Sequence, residues 1–153
     1  MSIRAYSEIN LHLVWHVKNN EPVLADMIEA QTHRFLRGRV FDTRGAIFHE
    51  VGGTDDHIHL VVSTQPDVLI SDFVGKLKGG CSHFINNEIA NRKVLGWQDG
   101  YGVVTFGTEH LLWVIRYVRN QRKHHEEGST FERLERVDPE QPQAGQGPHP
   151  NAG

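Results

Sequence analysis

Residues 9–17 read INLHLVWHV. Ile9, Leu11, Leu13, Trp15 and Val17 are apolar at alternate positions, with Asn10, His12 and His16 between them. Successive side chains of a strand point to opposite faces, so this stretch predicts a strand with one strongly apolar face. Asn19-Asn20 ends the pattern, and Pro22 suits the first turn of a helix. Val23, Leu24, Met27, Ile28, Phe35 and Leu36 recur at helical spacing, which predicts a helix to about Phe41. Residues 46–51 and 56–63 read as two further strands, and the short Gly-Gly-Thr-Asp link between them favours an antiparallel hairpin. A second helix starts near Asp67 or Ser71. Its apolar stripe is Phe73, Val74, Leu77, Cys81, Phe84, Ile85 and Ile89, interrupted by Gly79-Gly80 at a cost of roughly 2 kcal/mol. Residues 97–106 predict a fourth strand, and Thr108 caps a third helix that runs to about Gly128. The order β-α-β-β-α-β-α predicts an α+β fold of the ferredoxin-like kind. The expected picture is an antiparallel sheet with helices on one face, leaving the other face for function or a partner.

The chain has 153 residues and one expected domain, residues 1–137. Residues 138–153 hold four of the six prolines and no aliphatic residue beyond alanine, so a disordered tail is expected there. No apolar run is long enough to span a membrane, and residues 1–8 lack the apolar core of a signal peptide. The lone Cys81 cannot form an internal disulfide, which fits a reducing cytoplasm. Sixteen Lys and Arg stand against 19 Asp and Glu, a net charge of −3 that counts against a generic nucleic-acid binder.

His57-Ile58-His59 puts two imidazoles on one face of a strand, where they can share a metal ion. Asp55 has the same parity and could add or orient a ligand. On the third helix, Tyr117 and Gln121 lie one turn apart, roughly 70–110° from the apolar stripe Leu111, Val114, Ile115 and Val118. Tyr117 is therefore expected outside the core, with His124 on the same side. Arg116, Arg119, Arg122 and Lys123 crowd this helix, and no acid occurs in residues 110–125. Lys76, Lys78 and His83 form a second acid-free stretch within residues 73–87. Both are local basic surfaces suited to phosphate, although a solvated charged face is the commoner meaning of such runs. His12 and His16 share a strand face and could be a second pair. There is no Walker loop, cysteine-based zinc site or dinucleotide glycine fingerprint. A metal held by two histidines can polarise a phosphodiester, and a tyrosine hydroxyl can attack its phosphorus.

The stretch GGTDDHIHLV at residues 52–61 resembles the His-hydrophobic-His motif of the HUH single-tyrosine transposases of the insertion-sequence-two-hundred-like group. Residues 11–24, 76–84, 97–106 and 117–125 resemble further segments of that family in the same order, the last as Tyr-x-x-x-Gln-x-x-His-His. The resemblance implies a ferredoxin-like homodimer that cuts single-stranded DNA at the ends of an insertion sequence and recognises imperfect subterminal hairpins. It implies Tyr117 as nucleophile, forming a 5′-phosphotyrosine, and His57, His59 and Gln121 as ligands of Mg²⁺ or Mn²⁺. It also implies that Tyr117 of one chain serves the His57/His59 site of the other, and it suggests a bacterial or archaeal cytoplasm. Lys76, Lys78, Arg116, Arg119, Arg122 and Lys123 are the candidate DNA contacts. Two alternatives stand beside this reading: a transposase-derived hairpin-binding protein that mobilises nothing, and a metal-dependent hydrolase in which Tyr117 only binds substrate.

Overall fold

The computed structural model describes residues 5–139. Its centre is an antiparallel pair, β1 (Asn10–His16) and β3 (His57–Thr64). On β1 the alternate residues Leu11 and Leu13 meet Val62 and Leu60 across the pair, and Trp15 meets Ile58. All six are fully buried. The strands β2 (Ala46–Gly53) and β4 (Gly102–Phe106) flank the pair, giving a four-stranded sheet in the order β2-β3-β1-β4 with every neighbour antiparallel. Two helices, α1 (Asp26–Phe41) and α2 (Ile70–Phe84), cover the apolar face with Leu36, Val40, Phe73, Val74, Leu77 and Cys81.

The second face is covered as well, which corrects the expectation of helices on one face only. There α3 (Leu111–Arg119) and the short α5 (Glu132–Glu135) enclose a smaller cluster of Val61, Val114, Tyr117, Val118 and Leu134. Val61 and Val104 make this face apolar enough to need a cover. Gly52 lets the cover come close: a Cβ there would lie 2.1 Å from the Val118 carbonyl oxygen.

Several boundaries differ from the sequence pattern for identifiable reasons. Residues 22–25 are not helical, because the Leu24 amide is tied to the Asp55 carbonyl in the β2–β3 turn. Trp97 makes only an isolated bridge to Val17, and β4 starts at Gly102, after the positive φ of Gly100. The third predicted helix breaks at Asn120 (φ −103°, ψ 29°) into α3 and α4 (Gln121–Glu127). Of the expected tail, residues 140–153 lie outside the described residues. Among the described residues no helix is long and apolar enough to cross a membrane.

Gly52→Ala is expected to push α3 off β2 and destabilise the protein by about 1–3 kcal/mol. Gly79→Ala, whose Cβ would meet nothing within 4 Å inside α2, is expected to stabilise it by about 0.5–1 kcal/mol. Thermal melts of the two variants check both; equal shifts would refute the packing account.

Candidate active site

The β1–β3 register gathers four histidines on the second sheet face. His16 pairs with His57 and Val14 with His59, so His12 and His16 share the face of His57 and His59. The expected second pair is thus part of the first. His12 Nε2 lies 2.7 Å from His59 Nδ1. His57 Nδ1 lies 2.7 Å from Asp56 Oδ1 and 2.9 Å from Thr54 Oγ1, and its ring stacks on His16 at 4.8 Å. In both His57 and His59 the Nδ1 is engaged, so Nε2 is the atom turned towards the C-terminal helices. Metal-ligating histidines are oriented in this way by partners on the other ring nitrogen. The carboxylate beside His57 is Asp56, not Asp55, whose backbone carbonyl instead holds Leu24.

The C-terminal helices bring the remaining groups. Gln121, fully buried, sets Oε1 at 3.4 Å from His57 Nε2 and 3.1 Å from His125 Nε2. Glu135 Oε1 lies 3.2 Å from His59 Nε2, 3.3 Å from His125 Nε2 and 3.6 Å from His57 Nε2. Its other oxygen, Oε2, accepts the Tyr117 hydroxyl. The Phe131 amide donates to the Tyr117 oxygen at 2.9 Å. Tyr117, His57, His59 and Gln121 therefore meet within one chain, whereas the resemblance implied that Tyr117 of one chain serves the histidines of the other. Tyr117 is only 2% exposed, against the expectation of a residue outside the core, because α5 and Trp113 close over it. Sequence reasoning missed His125 and Glu135. His124 packs its ring on Tyr117 at 4.7 Å, on the side expected of it, and bonds Ser129, while His125 follows Gln121 by one turn of α4 and meets its Oε1. Glu135 sits on a four-residue helix beyond the left-handed Gly128, too short for any periodicity to betray it.

Burial dominates the electrostatics. It lowers the His59 pKa to about 4, with Glu135 opposing, and it also takes His12 well below its ordinary value, helped by the neighbouring His59. Burial, and then the bond to Glu135, raises Tyr117 to about 12. For Glu135 burial acts upward, yet its contacts with His59 and Tyr117 outweigh it and hold the carboxyl below the usual range. His57, His59, His125 and Glu135 offer ligand atoms that all lie within 4.8 Å of one another. The buried His59 Nε2 makes no well-directed hydrogen bond despite its nearness to Glu135. An orphaned neutral imidazole nitrogen beside a carboxylate suits a divalent cation.

The candidate DNA-contact cations divide between two layers. Arg119, Arg122 and Lys123 line a cleft of about 450 Å³ on the α3–α4 side. Within it Arg119 bonds Glu50 and Arg122 bonds Glu29, each at 2.8 Å. Arg116 is exposed on α3. Lys76 and Lys78 belong to α2, across the sheet from the histidines. Lys76 pairs with Asp72, and the Lys78 ammonium donates to the Gln98 and Gly100 carbonyls. Lys78 thus acts as a tie between α2 and the segment before β4.

Because the His59 pKa is depressed, its contribution to stability is present above about pH 6.5 and is lost as pH falls towards 4, by up to about 3 kcal/mol. The metal-free protein is therefore expected to melt at lower temperature at pH 5 than at pH 7.5. His59→Gln should flatten that slope, and an unchanged slope in this variant would refute the assignment.

The chain is similar to known proteins. Residues 5–121 match the family described as IS200-like transposase. The ISDra2 transposase TnpA of Deinococcus radiodurans is 26% identical over 119 residues, which cover 74% of this chain and 84% of that protein. Two solved structures share the fold. One, a candidate transposase from Deinococcus radiodurans, has a TM-score of 0.63 and 23% identity, covering 79% of this chain and 96% of that one. The other, a REP-associated tyrosine transposase bound to a REP hairpin, has a TM-score of 0.59 and 15% identity, covering 85% of this chain and 75% of that one. The family match spans most of the fold and includes Tyr117, His57, His59 and Gln121, and on it the chain belongs to the IS200-like transposase family.

Proposed function

We propose that the protein cuts and rejoins single-stranded DNA at the ends of an insertion sequence, with Tyr117 as nucleophile. The observation that carries this reading is the contact of the Tyr117 hydroxyl with Glu135, whose second oxygen lies among His57, His59 and His125. The Tyr117 oxygen attacks phosphorus, forming the 5′-phosphotyrosine bond. The bond from phosphorus to the 3′-oxygen breaks, and that oxygen leaves as a 3′-hydroxyl after gaining a proton from solvent. Glu135 Oε2 receives the tyrosine proton. A phenol near 12 and a carboxyl held low are too far apart for a phenolate to form in advance. The proton therefore leaves as the phosphorus–oxygen bond forms. The Phe131 amide supports the negative charge that develops on the tyrosine oxygen.

His57, His59 and Gln121 would hold Mg²⁺ or Mn²⁺, with His125 and Glu135 filling out the donor set. The ion, when bound, polarises a phosphodiester oxygen as a Lewis acid. Hairpins near the element ends are read as the double-stranded part of the substrate, and Arg116, Arg119, Arg122 and Lys123 as contacts to the strand near Tyr117. Lys76, on the far layer, is left for DNA away from the cut, while the Lys78 ammonium is engaged by the Gln98 and Gly100 carbonyls. A homodimer is proposed, and in the free chain Tyr117 rests at its own histidines through Glu135. The intact Tyr117–Glu135 contact favours a cleaving enzyme over a hairpin-binding remnant.

With Mg²⁺ or Mn²⁺ and single strands of the DNA flanking its own gene, the protein is expected to form a denaturation-resistant adduct that Tyr117→Phe abolishes. Cleavage surviving in that variant would instead favour a hydrolase. His57→Ala should abolish cleavage and spare hairpin binding, and Glu135→Gln should slow adduct formation by roughly 10²–10⁴-fold. Mixing Tyr117→Phe with His57→Ala protein should not restore cleavage; restoration would show that the two chains share their sites.

A further inference from the structure

Beside the nucleophile, α3 carries an aromatic surface that the reaction as described leaves unused. Trp113 precedes Tyr117 by one helical turn, and their rings stack at 5.6 Å and 9°. Phe131 meets Trp113 edge-on at 4.7 Å. Tyr117 itself is enclosed, yet Trp113 is 44% exposed, Phe131 52% and Leu112 65%. Single exposed apolar residues need no explanation, but two contacting aromatic rings packed on a buried nucleophile do. The same helix presents Arg116 to solvent, and residues 110–125 contain no acid.

We infer that Trp113 and Phe131 form a stacking platform for a nucleobase of the single strand entering the Tyr117 site. The inference rests on the reading of that site given above. Every base has a π-face, so aromatic side chains beside cations hold single strands with little regard to sequence. Whatever covers this platform lies next to the reacting oxygen, which suits the nucleotide at or beside the cut. A second copy of the chain is the competing occupant. Two-fold pairing of this face would bring the same acid-free cationic helix against itself, and like charges facing one another oppose such pairing. A polyanion with flat apolar bases satisfies both properties of the surface at once.

The test is equilibrium binding without metal, using oligothymidylate and a base-free strand of the same length and charge. The wild-type protein is expected to prefer oligothymidylate. Trp113→Ala should weaken that binding by roughly 10-fold or more, remove the preference, and leave the salt dependence and hairpin affinity unchanged. Trp113→Tyr should keep most of the preference. Equal binding of both strands by the wild type, or an unchanged preference in Trp113→Ala, overturns the platform. So does a mass that falls from dimer to monomer in Trp113→Ala, which would make this face a contact between copies. The readout needs no cleavage: a missing covalent adduct would refute the tyrosine chemistry, whereas only the strand preference decides the platform.

Discussion

A strand with a neighbour on each side and a layer on each face has nowhere to put a polar side chain except against another protein group. β3 is such a strand, and residues 57–62 are all buried. Ile58, Leu60 and Val62 satisfy the constraint by joining the main core. His57 and His59 cannot, and leaving them unpaired would cost roughly 1–3 kcal/mol each. Their pairing demands organise the second face: Asp56 and Thr54 take one ring nitrogen of His57, His12 takes one of His59, and the C-terminal helices close over the rest.

The helices that close this face are held by a close packing contact and by ion pairs of a different kind. Gly52 gives α3 its approach to β2, while Arg119–Glu50 and Arg122–Glu29 tie α3 and α4 to β2 and α1. Arg119 is 63% exposed along its side chain, so its pair contributes at most about 1 kcal/mol. Its value is geometric. It joins α3 to β2 beside the buried Val114, Tyr117 and Val118, which seat the helix on the sheet.

Much of this was legible in the chain. The alternation in residues 9–17 named the central strand, and the two-residue spacing of His57 and His59 named a shared face. The four-residue spacing of Tyr117 and Gln121 survived the helix break, because it spans only one turn. His124 kept its expected place beside Tyr117, but His125, one turn after Gln121 on α4, was passed over. The covering of the second face was hidden because Val61 and Val104 are read singly, and their common partner, α5, is one turn long. Lys78 looked like a phosphate contact because carbonyl acceptors such as those of Gln98 and Gly100 leave no mark in a sequence.

The position of Glu135 also orders events in time. A chain emerges from its N-terminus, and a domain folds as a unit once its parts are present. The sheet is complete once Phe106 has appeared, but the cluster around Tyr117 waits for α5. The cluster around Tyr117 is therefore the last part of the described fold to gain its partners, because Phe131 and Glu135 follow every strand of the sheet in the chain.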